Sequence, residues 1–144
     1  MEPMDWENIF AVARISASGL SAERLRMEVI ANNLANAFST RSLGGGPYRR
    51  KDVVFEAVLG QRLGRPQMEG VRVAGIEDDM SDFQRVYQPG HPDADNEGYV
   101  LYPNVILPLE MVNLLTASRA YEANLKVLQT FRQMMEQALI LLRG

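Results

Sequence analysis

Two stretches at opposite ends of the chain carry apolar residues at helical spacing. From Leu109 onward the sequence reads LEMVNLLTASRAYEANLKVLQTFRQMMEQALILL, without Gly or Pro. Alternating steps of three and four pick out Met111, Leu114, Ser118, Tyr121, Leu125, Leu128, Arg132, Met135, Leu139 and Leu142, and eight of these ten are apolar. That is a seam repeating about every 3.5 residues. Asn113, Arg119, Glu122, Lys126, Gln129, Gln133 and Glu136 lie between the seam positions, and most are strong helix formers. Pro108 suits a first helical turn, where its missing N–H is not needed. A helix of this length spans roughly 50 Å at 1.5 Å per residue, too long for so short a chain to wrap.

The N-terminal stretch offers a partner. The same steps give Trp6, Phe10, Ala13, Ala17, Leu20, Arg24, Met27, Ala31, Leu34 and Phe38, nine of ten apolar. Its alanines allow close approach. Gly19 weakens this helix by about 1 kcal/mol relative to Ala and reads as a close-packing position or a slight kink. Asn32, Asn33 and Asn36 near its end read as helix-ending residues or as amides bonding between helices.

Between the helices the pattern changes. Residues 39–47 and 60–70 are loops by composition. Residues 48–59, 71–76, 83–87 and 99–103 read as strands, with a turn-rich segment at 88–98. The predicted fold is α+β: long terminal helices pair as a coiled-coil-like hairpin around a small β-rich insert. Residues 1–38 and 106–144 form one helical core domain, and 39–105 form the insert. Leu125 and Leu128 are expected to be buried between the helices. About Met1–Leu20 and Phe131–Gly144 are expected to be frayed in the free monomer, because an uncovered seam does not return its ordering entropy.

Composition narrows the chemistry. The 144 residues carry net charge -3, against a general nucleic-acid binder, and no cysteine, which removes disulfides, thiolate ligands and thiol nucleophiles. No apolar run approaches the roughly 18 residues of a membrane span. The start, with Glu2, Asp5 and Glu7, lacks the basic n-region of a cleaved signal. Taken alone this suggests the cytoplasm, unless export leaves the N-terminus uncleaved.

His91, Asp93, Asp95 and Glu97 are the best candidates for a site. Asp93 to Gly98 imitates the start of a calcium loop, but its twelfth position is Asn104 where a bidentate Glu is required. The stretch therefore reads as a Pro-fixed acidic turn. His91 has no second ligand or nucleophile at a useful spacing. The basic run Tyr48-Arg49-Arg50-Lys51, with Arg41, Arg62 and Arg65, suits an acidic protein neighbour or plain solvation. Gly44-Gly45-Gly46 lacks the Lys-Ser/Thr of a phosphate loop. No catalytic, cofactor or metal residues are assigned.

Residues 15–40, ISASGLSAERLRMEVIANNLANAFST, resemble the N-terminal motif of the flagellar basal-body rod proteins, with Asn33, Leu34, Ala35, Asn36 and Ala37 as its Asn-Leu-Ala-Asn-Ala string. Residues 110–128 resemble the family's C-terminal motif, around Ser118, Arg119, Ala120, Tyr121, Glu122, Ala123 and Asn124. Residues 53–58 and 86–105 are most similar to a proximal rod member. Residues 60–70 match nothing in the family, and Phe38 stands where a small or acidic residue is expected.

The resemblance implies a structural subunit, no enzyme and no cofactor. It implies polymerisation through the terminal helices into the torque-transmitting axial tube, in the periplasmic part of the basal body. Trp6, Phe10, Ala17, Leu20, Met27, Ala31, Leu34, Met111, Leu114, Tyr121, Leu125, Leu128, Met135 and Leu139 are the helix-pairing and assembly candidates. Implied partners are copies of the chain, other proximal and distal rod proteins, the rod–MS-ring junction protein and the flagellar type III export apparatus. Neither nucleic acid nor a small-molecule substrate is implied. The rival readings are a cytoplasmic helical-hairpin adaptor for an amphipathic helix, and a metal-dependent enzyme around His91, Asp93 and Asp95.

Overall fold

The computed structural model describes residues 6–62 and 65–143. Two long helices flank a small antiparallel insert, an α+β arrangement: α1 (Trp6–Ala35), β1 (Lys51–Arg62), β2 (Arg65–Asp78), β3 (Gln84–Tyr87), β4 (Tyr99–Tyr102) and α2 (Leu107–Arg143). The helices run antiparallel. Asn33 near the end of α1 bonds Glu110 at the start of α2, and Phe10 meets Phe131 edge-on at 6.1 Å.

α1 stops a turn before the expected Phe38. The Asn36 side-chain amide bonds the Asn32 carbonyl at 2.9 Å, and the Ser39 amide bonds the Asn36 carbonyl at 3.0 Å. The helix thus ends through an asparagine satisfying a terminal carbonyl. Where fraying is expected, the described residues are arranged as helix, over Trp6–Leu20 and Phe131–Arg143; how firmly those ends hold in the monomer is a matter for hydrogen exchange. Residues 1–5 and Gly144 lie outside the described residues.

The insert is two separate two-stranded sheets, β1–β2 and β3–β4. The expected loop at 60–70 is instead largely strand, since β1 and β2 continue their pairing to Gln61–Pro66 and Arg62–Arg65. Gly60, Pro66 and Gly70 mislead by composition. In a two-stranded ribbon each strand has an open edge, where a proline costs no ladder bond. Glycine marks close approach: a Cβ on Gly60 would overlap the Glu69 carboxylate. Register shifts between Val54 and Phe55 and between Val58 and Leu59 leave Ala74 and Glu69 without a partner, so β2 carries two bulges that bend the ribbon.

The core is small. Ala22, Val29, Ile30, Ala37, Val100, Val105 and Ala117 are covered, mostly where the helices meet the base of the insert.

Candidate functional site

The face each helix turns inward differs from the seam of large apolar residues. On α2 the covered or half-covered track is Glu110, Leu114, Ala117, Tyr121, Asn124, Leu128, Phe131, Met135 and Ala138. It shares Leu114, Tyr121, Leu128 and Met135 with the predicted seam. It replaces the exposed Met111, Leu125, Arg132 and Leu139 by the residue before each, and Ala117 is covered more fully than the half-buried Ser118 after it. On α1 the covered residues are Ser16, Gly19, Ala22, Val29, Ile30 and Asn33, with Ala37 just past its end; Ser16, Gly19, Ile30, Asn33 and Ala37 each stand one residue before a predicted position.

Small and amide side chains explain the offset. A Cβ on Gly19 would lie 2.8 Å from Asn124 Nδ2, so the two helices meet there with no room for a methyl group. Gly19 is therefore a close-packing position. Leu125, expected to be buried, is 39% exposed, while Leu128 is half-buried.

Within one chain the other assembly candidates are placed as follows. Phe10, Ala17, Ala31, Met111 and Leu139 are exposed, and Leu20, Met27 and Leu34 are half-buried. The side chain of Trp6 lies outside the described residues. Among the motif residues, Asn33 is fully covered, and Leu34, Asn36, Ser118, Ala120, Tyr121 and Asn124 are half-buried. Ala35, Arg119, Glu122 and Ala123 face outward.

The uncovered apolar side chains form a surface of their own. Val12, Ala123, Val127, Thr130, Phe131 and Met134 line an open groove of about 720 Å³ beside the helix pair, with Lys126 at its rim. Val12, Val127 and Met134 are 41–56% exposed. Beyond it Leu139, Ile140, Leu141 and Leu142 are each more than half exposed. Scattered apolar surface is ordinary, but a contiguous stripe marks an interaction site.

At the other end of the pair sits a buried polar junction. Asn33 uses its whole side chain: Oδ1 accepts from the Tyr48 hydroxyl (2.9 Å) and the Lys51 amide (3.0 Å), and Nδ2 donates to the Lys51 carbonyl (2.8 Å) and to Glu110 Oε2 (3.1 Å). It thus acts as a one-residue extension of the sheet. Glu110 is fully covered and accepts at Oε1 from Arg50 Nε (2.7 Å) and Asn113 Nδ2 (3.3 Å). Arg50 also reaches Asp52 and Asp79, each at 3.3 Å. Asn104 accepts from the Arg50 amide at 2.8 Å and donates to the Asp79 carbonyl at 2.9 Å.

Burial works against the Arg50 guanidinium, but the bond to Glu110 and the charges of Glu110 and Asp52 outweigh it and hold its pKa above the usual value. Amide and hydroxyl donors from Ser81, with Arg50, hold Asp79 below the usual carboxylate value. Burial raises the Tyr48 phenol.

Of the basic run only Arg50 is drawn inside, while Arg49 is half-buried and Lys51 and Arg41 are exposed, each with a partner in the chain. Arg50 enters the junction, Lys51 pairs with Asp78 at 2.7 Å, and Arg49 stacks 4.2 Å over Phe83. Arg41 pairs with Asp93. The side chains of Arg62 and Arg65 lie outside the described residues.

The acidic turn is built from internal bonds. Asp93 takes the Thr40 hydroxyl at 2.8 Å, and Asp95 Oδ1 accepts the amides of Glu97 and Tyr99, both at 2.9 Å. Glu97 pairs with Arg85 at 2.6 Å. Asp95 shares Arg85 with Glu97, at 3.4 Å, while Asp93 bonds Thr40 and Arg41, and among the described residues no group of three acidic or histidine side chains converges as a metal site. The Thr40 bond, then Arg41, lowers the Asp93 pKa, and the Tyr99 amide, then others, lowers that of Asp95. His91 Nδ1 accepts the Asp93 amide at 3.1 Å and is bound into the turn.

Sequence reasoning missed Glu110, Arg50 and Asn104 as a set. The available signal was a lone carboxylate between Leu109 and Met111 in the first turn of an apolar helix.

The same regions carry the likeness to known proteins. Residues 14–41 match the family described as "Flagella basal body rod protein", and residues 96–141 match "Flagellar basal body rod FlgEFG protein C-terminal". The "Flagellar basal-body rod protein FlgC" of Yersinia enterocolitica is 47% identical, over 93% of this chain and 96% of its own length. The chain belongs to the FlgC family of flagellar basal-body rod proteins. Members similar to it come from distant bacteria: the FlgC of Borreliella burgdorferi is 40% identical, covering 94% of this chain and 99% of that protein. That of Bacillus subtilis is 41% identical, covering 90% and 95%. The polar junction and the helix pair both draw on the two matched segments, through Asn33 on one side and Glu110 on the other.

Proposed function

We propose that this rod protein is a non-enzymatic structural subunit of the flagellar proximal rod and polymerises through its terminal helices into the torque-transmitting axial tube. The observation that carries the reading is the apolar stripe left uncovered on the helix pair: Val12, Val127 and Met134, continued by Leu139 to Leu142. Val12, Val127 and Met134 present one face and Leu139 to Leu142 wrap the end of α2, an uncovered surface suited to heterologous contacts, which generate open helical assemblies when they do not close. Neighbours are copies of the chain and other rod proteins, including distal rod subunits and the rod–MS-ring junction protein. The subunit reaches the periplasmic part of the basal body through the type III export apparatus. In the described residues no helix is long and apolar enough to cross a membrane.

The test is genetic and structural together. Val127→Asp with Met134→Asp places charges on the groove and leaves the inward track untouched. The expected result is a chain that is made and exported while cells are non-motile and basal bodies lack a complete rod. Full motility with normal basal bodies would refute the role of this face.

A further inference from the structure

The β1–β2 ribbon meets α1 at two places where hydrogen bonds join them. At its base, Asn33 pairs with Lys51 in both directions, at 2.8 and 3.0 Å. Farther toward the N-terminus of α1, Ser18 Oγ accepts from the Val71 amide at 3.0 Å and donates to the Ile15 carbonyl at 2.7 Å. Gly70 makes that second contact possible. Its φ is +138°, a conformation that side chains disfavour, and a Cβ there would overlap the Ser18 hydroxyl. The bulge at Glu69 falls beside it, so the ribbon bends where it comes down on the helix. Ser18 and Asn33 stand about four turns apart, roughly 22 Å along the axis.

We propose that these contacts are two pins that fix the ribbon's direction along α1, so that the described strands beyond them, residues 59–62 and 65–69, project in one set direction as an arm. A two-stranded ribbon is marginal by itself. One pin would leave it free to swing about that point, and a second removes the swing. The Asn33 pin is itself held by Glu110 and Tyr48, so the ribbon's direction is referred to α2 as well as to α1. A neighbouring subunit therefore meets a preformed arm and does not have to order it on contact. The pins concern the geometry of the single chain and stand whether or not the rod reading does.

The chain has no cysteine, so spin labels can be placed on the full-length protein through Leu59→Cys and Gln129→Cys alone. The expected result is one narrow distance distribution between arm and α2. Ser18→Ala should widen it at least about twofold with helical ellipticity unchanged, as a local opening does. Gly70→Ala should do the same, because its side chain pushes the strand off Ser18. Asn33→Ala should widen it further while α1 and α2 keep their helical signal. Unchanged widths in both Ser18→Ala and Gly70→Ala would overturn the proposal. Loss of helix together with arm order in Asn33→Ala would overturn the base pin, because Asn33 would then belong to one cooperative helical core.

Discussion

Single residues in this molecule act through polar satisfaction and close approach more than through bulk. Glu110 is fully covered and its charge is balanced by Arg50, whose side chain is 14% exposed. Breaking a buried pair leaves an uncompensated charge, so Glu110→Ala is expected to cost about 3 kcal/mol, at the low end because Arg50 keeps Asp52 and Asp79. Chemical denaturation measures it. Gly19 gives a sign test. Gly19→Ala gains about 1 kcal/mol of helix propensity, but its methyl group must displace Asn124, so it should destabilise by about 1–3 kcal/mol as overpacking does. In an Asn124→Ala background the clash is gone and the same change should stabilise. Two thermal melts decide between these signs. The acid response follows from Asp79, Asp93 and Asp95, all held below the ordinary value in the fold. Their stabilising contribution is present above the unfolded pKa, about 3.9, and is lost as pH falls through the lower folded values. Stability should therefore drop below about pH 4, and Asp93→Asn should flatten that drop.

At the scale of elements, the helices were legible and their inward faces only in part, through Leu114, Tyr121, Leu128 and Met135. Counting large apolar residues selected Met111, Leu125 and Leu139, whereas the pair closes on Ala117, Asn124 and Ala138. Small side chains let backbones approach, and the large ones are then left outside. Periodicity alone cannot distinguish a seam facing a helix in the same chain from one facing another chain. The β1–β2 ribbon was half legible: Val53 to Val58 and Val71 to Ile76 read as strands, but Gly60, Pro66 and Gly70 hid their continuation. Gly70 stands beside the Glu69 bulge and Gly60 where the Glu69 side chain comes close, features that composition reads as loop. The junction was hardest to foresee, since Asn33, Arg50, Asn104 and Glu110 come together only when the ends of two helices and the base of the ribbon meet. The offset predicts a contrast. Leu125→Ala, at a position 39% exposed, should cost about 1 kcal/mol in the monomer, well below the 2–5 kcal/mol of a packed leucine. Ala117→Leu, at a fully covered position, should cost more, about 1–3 kcal/mol by overpacking. Equal effects in urea unfolding would return the seam to Leu125.

For the whole molecule, the two ends of the helix pair are built differently. One end is closed by the polar junction and by Val100, Val105 and Ala37, all covered. The other end is joined by Phe10 against Phe131, beyond which α2 continues through Leu139, Ile140, Leu141 and Leu142, all largely exposed. Most helix stability comes from packing an apolar face, and each ordered residue costs roughly 1–2 kcal/mol of backbone entropy. The last three turns of α2 therefore carry apolar surface whose burial is unrealised in the single chain. Hydrogen exchange on dilute monomer should show the strongest protection near Ala117 and the junction, declining along α2 to rapid exchange past Ala138. Addition to a growing rod should slow exchange most in that last segment, because the neighbour supplies the missing face. Such a gradient would also hold back premature polymerisation, since the last segment gains its burial only where a template meets it. Strong protection from Leu139 to Leu142 in a solution shown to be monomeric would mean the pair is already complete, and assembly would then have to be limited by some other step.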